Sequence, residues 1–175
     1  MKKIKVIAEV GVNHNGKLAI AKKLIRFCSK LGIEYIKFQT FKADELSTPY
    51  AKTAKYQNKS FKKKLSQRDL LKKYELSEDS FKKLFKYCKK CKIEMISTPF
   101  DKESAKFLMK LGCRIIKVSS GDLTDFQLLH TLASFKGKLI LSTGMSNLKE
   151  IENSIKFLKR EKKKLKDIIL MHCTS

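Results

Sequence analysis

Short apolar, β-branched runs alternate with longer lysine-rich amphipathic runs along this chain, and few folds satisfy that alternation. A strand buried on both faces reads as a nearly continuous apolar run, whereas a helix covering it reads with a period of about 3.6 residues. The strand-like runs are Ile4–Val10, Ile33–Phe38, Ile93–Ile96, Ile115–Val118, Leu139–Leu141 and Ile168–Met171. Helical patterns cover Ala19–Leu31, Glu78–Cys91, Lys102–Leu111, Asp125–Phe135 and Leu148–Arg160. In the first of these, Leu24, Phe27, Cys28 and Leu31 line up on one face. Thr124 with Gln127 predicts a capping box, Asp101 and Ser146 predict N-caps, and Gly32 and Gly112 fall where a helix should stop. Repeated strand–helix units of this kind build an α/β fold with parallel strands.

The rhythm breaks once. The stretch from Phe41 to Tyr74 is more than a short loop, and it holds Pro49 and a polar run, Thr53–Ser60. It predicts an excursion with some helix over one end of the sheet, and insertions of this length are either functional lids or disordered.

Charge raises a separate question. Forty Lys and Arg against 17 Asp and Glu leave +23, which invites a nucleic-acid reading. Yet the arginines are only Arg26, Arg68, Arg114 and Arg160, and the forked guanidinium is what reads bases and phosphates in two contacts at once. The lysines fall on helix faces, Lys62–Lys64, Lys82–Lys83, Lys89–Lys90 and Lys162–Lys164, where solvated surface accounts for them. No nucleic-acid partner is expected. No apolar run nears the roughly 18 residues of a membrane span. Glu9 interrupts the first apolar run, as no signal peptide would allow. Five cysteines at irregular spacing fit reduced thiols. The expectation is a soluble, cytoplasmic chain with one buried core.

Polar residues gather at one place in each unit. The strands are followed in turn by Gly11–Gly16 (GVNHNG), Gln39-Thr40, Ser97–Phe100, Ser119–Asp122, Ser142–Met145 and His172–Ser175. Ligands of parallel α/β folds sit at the carboxyl ends of the strands. Lys37 and Lys117 interrupt apolar strands, and a buried ammonium needs a counter-charge, so both point to an anionic ligand such as phosphate or carboxylate. Glu9 is the matching anomaly in the first strand. Other signals are weaker: Cys88 and Cys91 have CxxC spacing without a partner pair, His172-Cys173 would complete a zinc site only by chance of folding, and His14 between two asparagines reads as shaping its loop.

The strings IAEVGVNHNG, IKFQTFKADEL, AKTAKYQ (Ala51–Gln57), ISTPFD, IKVSSGD, LSTGM and MHCTS resemble, in order and spacing, the sialic acid synthase family, which includes N-acetylneuraminate synthase and its relatives for legionaminate and pseudaminate. The resemblance covers essentially the whole chain. It implies a (β/α)₈ TIM barrel, of which about six of eight strands lie within 1–175, the remaining strands and a C-terminal antifreeze-like domain lying beyond. It also implies condensation of phosphoenolpyruvate with N-acetylmannosamine or a related acetamido sugar, releasing phosphate. In that family phosphoenolpyruvate is held at positions matching Lys37, Thr98, Lys117, Ser120 and Ser142. Glu9, Gln39, Phe100 and Asp122 match positions facing the sugar, Asp122 standing where the family commonly has Glu. Ser175 stands where some members carry an Asn that helps position the substrate. Glu9 is placed to stabilise charge or assist proton transfer as the catalytic residue. The resemblance further implies a homodimer and a divalent metal, Mn²⁺ or Mg²⁺, whose two histidine ligands lie beyond residue 175, so the isolated chain is expected to be inactive. A different phosphoenolpyruvate-using or aldolase-type barrel is the alternative, and a basic nucleic-acid-binding protein ranks last.

Overall fold

Six strands stand side by side in the order of the sequence, all parallel, in the computed structural model, which describes residues 4–48, 50–51 and 66–174. The strands are β1 (Ile7–Gly11), β2 (Tyr35–Thr40), β3 (Glu94–Pro99), β4 (Ile115–Val118), β5 (Lys138–Ser142) and β6 (Ile168–Met171). The helices are α1 (Leu18–Lys30), α2 (Ala43–Leu46), α3 (Gln67–Tyr74), α4 (Glu78–Lys90), α5 (Lys102–Leu111), α6 (Phe126–Ala133) and α7 (Leu148–Arg160), with 3₁₀ turns at Ser120–Asp122 and Leu165–Asp167. Parallel neighbours need a crossover, and α1, α4, α5, α6 and α7 supply it.

The helices cover one face of the sheet. Ile36 and Phe38 of β2, Met95 of β3, Ile116 and Val118 of β4, and Leu139 and Leu141 of β5 are all buried there. They meet the apolar stripes of the helices, including Ile25, Leu84, Leu108, Leu129 and Leu158. Phe81 joins the layers edge-on, its ring 6.5 Å from Phe38 and 6.2 Å from Phe107. Among the described residues β1 and β6 form the sheet's two edges, and Ile169 and Leu170 of β6 are half exposed. No described helix is long and apolar enough to cross a membrane.

Departures from the expected boundaries have local causes. β1 starts at Ile7, leaving Ile4 and Val6 exposed. β2 and β3 run on to Thr40 and Pro99, where the Thr40 and Ser97 hydroxyls hydrogen-bond at 2.7 Å. Asp101 caps α5 as expected and Gly112 ends it at φ 86°, but α6 is capped by Asp125 rather than Thr124. The Asp125 carboxylate accepts from the N–H groups of both Gln127 and Leu128, each at 3.0 Å, and its charge suits a helix N-terminus. Asn147, not Ser146, caps α7, in a reciprocal box with Glu150. Lys163, expected on a solvated face, is 5% exposed: its ammonium donates to the carbonyls of Phe135 and Gly137, closing the turn before β5.

The excursion is partly helical, as its composition suggests, and carboxylates pin it. The Ala43 N–H donates to Glu75 at 2.9 Å, the Lys42 N–H donates to Asp101 at 3.1 Å, and Asp44 pairs with Arg68 and Lys72. Pro49, the polar run Thr53–Ser60, and Ala51–Gln57 apart from Ala51 lie outside the described residues.

Gly16 and Gly32 both adopt positive φ, 71° and 73°. A Cβ at Gly16 would lie 2.1 Å from the Lys73 carbonyl oxygen, whereas one at Gly32 would meet nothing within 4 Å. Gly32→Ala should therefore cost only the left-handed backbone penalty, about 1 kcal/mol. Gly16→Ala should cost at least about twice as much, because the α3 backbone must also move. Urea unfolding of the two variants checks the ordering.

Candidate active site

Directly paired residues on parallel strands face the same side of a sheet, and successive residues alternate. Glu9 pairs with Lys37, Lys37 with Ile96, and Gln39 with Thr98. Ser97 pairs with Ile116 on the helix-covered face, so Thr98 and Lys117 share the opposite, inner face. There the register continues from Lys117 to Ile140 and from Ser142 to Met171. The alternation thus carries Glu9, Lys37, Gln39, Thr98, Lys117 and Ser142 to one surface, towards the strands' carboxyl ends.

The charges on that surface do not balance. Lys37 is 8% exposed and forms an ion pair with Glu9, whose carboxylate is half exposed. Lys117 is half-buried and makes no ion pair among the described residues. Burial pushes its pKa below the usual lysine range, and the nearby Lys37 pushes it further. Of the two inward ammonium groups, only Lys37 has a carboxylate at pairing distance among the described residues. Beside them, the Thr98 and Ser142 hydroxyls are 2% and 1% exposed and have no oxygen or nitrogen hydrogen-bond partner. Buried hydroxyls are nearly always satisfied, so two orphans next to an excess of positive charge form a donor set shaped for an anion.

The turn after β4 supplies Asp122, whose Oδ2 is also buried without a partner. Burial, and then Asp125, raises its carboxyl pKa to about 6. β1 bulges between Glu9 and Gly11, and Gly11 takes φ 52°. A Cβ there would stand 3.1 Å from Glu9 Oε1 and 3.8 Å from Gln39 Nε2, so glycine leaves both side chains room beside the strand end. Phe100 stands at the end of β3, edge-on to Phe41 at 6.5 Å, as an apolar wall of the rim. The Ser120 hydroxyl lies 3.4 Å from Cys173 Sγ. Ser175 lies outside the described residues.

Not every strand-end hydroxyl joins the site. Thr40 and Ser97 satisfy each other, and Thr143 donates to the Met171 carbonyl at 3.1 Å. His14 is 1% exposed, its Nδ1 accepts from the Gly16 N–H at 3.1 Å, and burial lowers its pKa, all as suits a residue shaping its loop. Sequence reasoning weighed Cys173 only as half of an improbable zinc pair and missed its place on the inner face. Cys173 follows Met171 by two positions on the inner-face alternation, and that parity was the available signal.

The donor set suits an anion and does not suit a divalent cation. Among the described residues no group of three or more His, Cys, Asp or Glu could hold a metal. His130 pairs with Glu161 at 2.9 Å and His172 is exposed. Burial pushes the thiols of Cys88 and Cys113 up to about 12. A concavity of about 1170 Å³ opens at the opposite ends of the strands, lined by Tyr35, Glu94, Arg114 and Lys138 among others. Arg114 is already paired with Glu94 there, and none of the orphaned buried atoms lines it, so the candidate site stays at the carboxyl ends.

The chain is 45% identical over 175 residues to N,N'-diacetyllegionaminic acid synthase of Campylobacter jejuni, covering 100% of this chain and 52% of that protein. It is 41% identical over 172 residues to N,N'-diacetyllegionaminic acid synthase of Legionella pneumophila, covering 97% of this chain and 48% of the relative. The crystal structure of N-acetylneuraminic acid synthetase from Leptospira borgpetersenii, in complex with citrate, superposes with a TM-score of 0.83 at 29% identity, covering 99% of this chain and 55% of that one. The chain thus spans about half the length of the relatives it matches. The profile of the NeuB family matches residues 24–175, most of the sequence, and on that match the chain belongs to the NeuB family.

Proposed function

We propose that this chain forms the phosphoenolpyruvate-binding part of a (β/α)₈ synthase that joins phosphoenolpyruvate to an acetamido sugar and releases phosphate. The observation that carries the reading is the pair of inward ammonium groups, Lys37 and Lys117, set against one paired carboxylate and two orphaned hydroxyls. Phosphoenolpyruvate presents a phosphate and a carboxylate to such a surface. Lys37 and Lys117 offset those charges, and the Thr98 and Ser142 hydroxyls donate to their oxygens. The relatives named for N,N'-diacetyllegionaminic acid favour a diacetamido sugar as acceptor, with N-acetylmannosamine the second choice.

In the proposed reaction the enolpyruvate methylene carbon attacks the aldehyde carbon of the open-chain sugar, forming the new carbon–carbon bond. Positive charge develops at the neighbouring carbon, water adds there, and the tetrahedral intermediate expels phosphate. Glu9, beside Lys37, stands where its carboxylate can stabilise that charge or take the proton of the attacking water. Asp122, with a pKa near neutrality, can exchange a proton with a sugar hydroxyl. Gln39 and Phe100 line the sugar's side, and Ser120 completes the phosphate side. The reading includes a divalent cation, Mn²⁺ or Mg²⁺, a homodimer, and a cytoplasmic location. Among the described residues no group of three or more His, Cys, Asp or Glu gathers to hold that cation.

Calorimetric titration of residues 1–175 with phosphoenolpyruvate tests the reading. Lys117→Met should weaken binding at least about tenfold, the loss expected on removing one charge-assisted contact. Glu9→Gln should change affinity by less than about threefold while cutting turnover of the complete barrel more than about tenfold, since its role falls in the transition state. Absence of phosphoenolpyruvate binding by the unsubstituted chain would overturn the proposal.

The raised pKa of Asp122 has a consequence for stability. Its folded value, about 6, exceeds the ordinary 3.8, so the folded state holds the proton more tightly than the unfolded one. Stability should therefore fall as pH rises from about 4 to about 6, and stay lower above that. Asp122→Asn should remove this fall, gaining about 1 kcal/mol at pH 8 and nothing at pH 4 once screening of the half-exposed carboxyl is allowed for. Thermal unfolding across that range checks the sign.

A further inference from the structure

Five cysteines are present, and one of them stands apart by position. Cys88 and Cys113 are buried in the helix-covered core, and Cys28 and Cys91 pack against it. Cys173 instead lies at the carboxyl end of β6 on the inner face, half-buried, where three strand ends converge on its sulfur. The Gly144 N–H, after β5, donates to Sγ at 3.3 Å, and the Ser120 hydroxyl, after β4, lies 3.4 Å away. A second observation ties this thiol to a ligand: the Ser142 hydroxyl, 1% exposed, lies beside it and has no hydrogen-bond partner other than this sulfur. Lys117 is also near enough for its charge and the sulfur's to influence each other. The thiol therefore forms part of the wall of the anion pocket.

We propose that Cys173 is a modification site gated by that pocket: alkylating electrophiles take the thiol when the pocket is empty, a bound phosphate-bearing ligand shields it, and the modified chain no longer admits phosphoenolpyruvate. The inference rests on the proposed phosphoenolpyruvate site and adds to it a control on access. In the step itself, the Cys173 thiolate attacks the methylene carbon of the electrophile. The carbon–sulfur bond forms, the carbon–halogen bond breaks, halide leaves with its electron pair, and the thiol proton goes to solvent. Reactivity follows thiolate content and access. The Ser120 hydroxyl and the Gly144 N–H favour the thiolate of Cys173, whose pKa lies below the ordinary range, whereas burial raises those of Cys28, Cys88 and Cys113. Blocking is reciprocal, because a ligand and an adduct that exclude each other must each oppose the other.

The test is iodoacetamide labelling of residues 1–175, read cysteine by cysteine by peptide mass spectrometry, with phosphoenolpyruvate affinity measured on the same samples by calorimetry. Cys173 should label first, about tenfold faster than the next cysteine. Phosphoenolpyruvate at ten times its dissociation constant should slow that labelling about tenfold and leave Cys91 unaffected. Lys117→Met should abolish the protection at the same ligand concentration. Cys173→Ser, whatever its own affinity for phosphoenolpyruvate, should show that same affinity before and after iodoacetamide treatment, since the serine hydroxyl is not alkylated under these conditions. If phosphoenolpyruvate binds but Cys173 labels no faster than Cys91, is not protected, or is alkylated without loss of binding, the gating inference is overturned and the binding site stands. If phosphoenolpyruvate does not bind the unmodified chain, the site reading fails, and the gating fails with it.

Discussion

Two ammonium groups held on one face of a sheet with a single carboxylate at pairing distance make the constraint around which this molecule is arranged. Buried positive charge without a partner is costly, and at Lys117 that cost shows as a pKa held below the usual lysine range. Lys37 can lie in β2 because Glu9 stands opposite it in register. Lys117 has no such carboxylate across the strand: its register partner on β5 is Ile140, and Thr98 lies on its β3 side. The helices on the other face supply the apolar burial that holds both strands in place, so the charge imbalance is maintained by a core that contains none of it. The apolar core and the unpartnered polar groups are thus divided between the two faces of one sheet.

How much of this was legible in the sequence depends on which period each residue obeys. The six strands were readable as nearly continuous apolar runs and the five covering helices by their period of about 3.6, and burial enforces both. Lys37, Lys117 and Glu9 were readable because they violate that pattern. The strand-end hydroxyls were less so: Ser97 and Thr98 are adjacent and chemically alike, yet one bonds Thr40 on the helix side and the other faces the site. Only register decides between them. Cys173 was missed for the same reason, since its place on the inner face follows from counting two past Met171, not from its chemistry. Lys163 was misjudged because two carbonyls left by the turn before β5 are far apart in sequence from the ammonium that satisfies them. Caps shifted by one residue, to Asp125 and Asn147, where the better acceptor outweighed the expected one.

The loop after β1 shows how local backbone geometry serves the site from a distance. Gly11 turns the strand with positive φ and leaves space for Glu9 and Gln39, and Gly16 lets the loop press on the α3 backbone. Between them His14 is buried beneath the loop, its Nδ1 held by the Gly16 N–H and its ring 6.2 Å from Phe38. The excursion carrying α3 is fastened at the other side by Glu75 and Asp101. The carboxylate opposite Lys37 is therefore aimed by a turn whose shape depends on packing well outside the pocket.

Strand order that copies sequence order also bears on how the molecule is made. Each strand's partner is the one synthesised just before it, so a chain emerging from the ribosome always finds its template already in place. Every finished unit covers the previous edge and offers a fresh one, and assembly advances in one direction. The longest wait falls between β2 and β3, while the excursion is being synthesised. During that interval β2 presents an open edge carrying Lys37, and a charged side chain on a strand edge discourages pairing with stray chains. The lysine that later pairs with Glu9 on the inner face thus guards the nascent sheet.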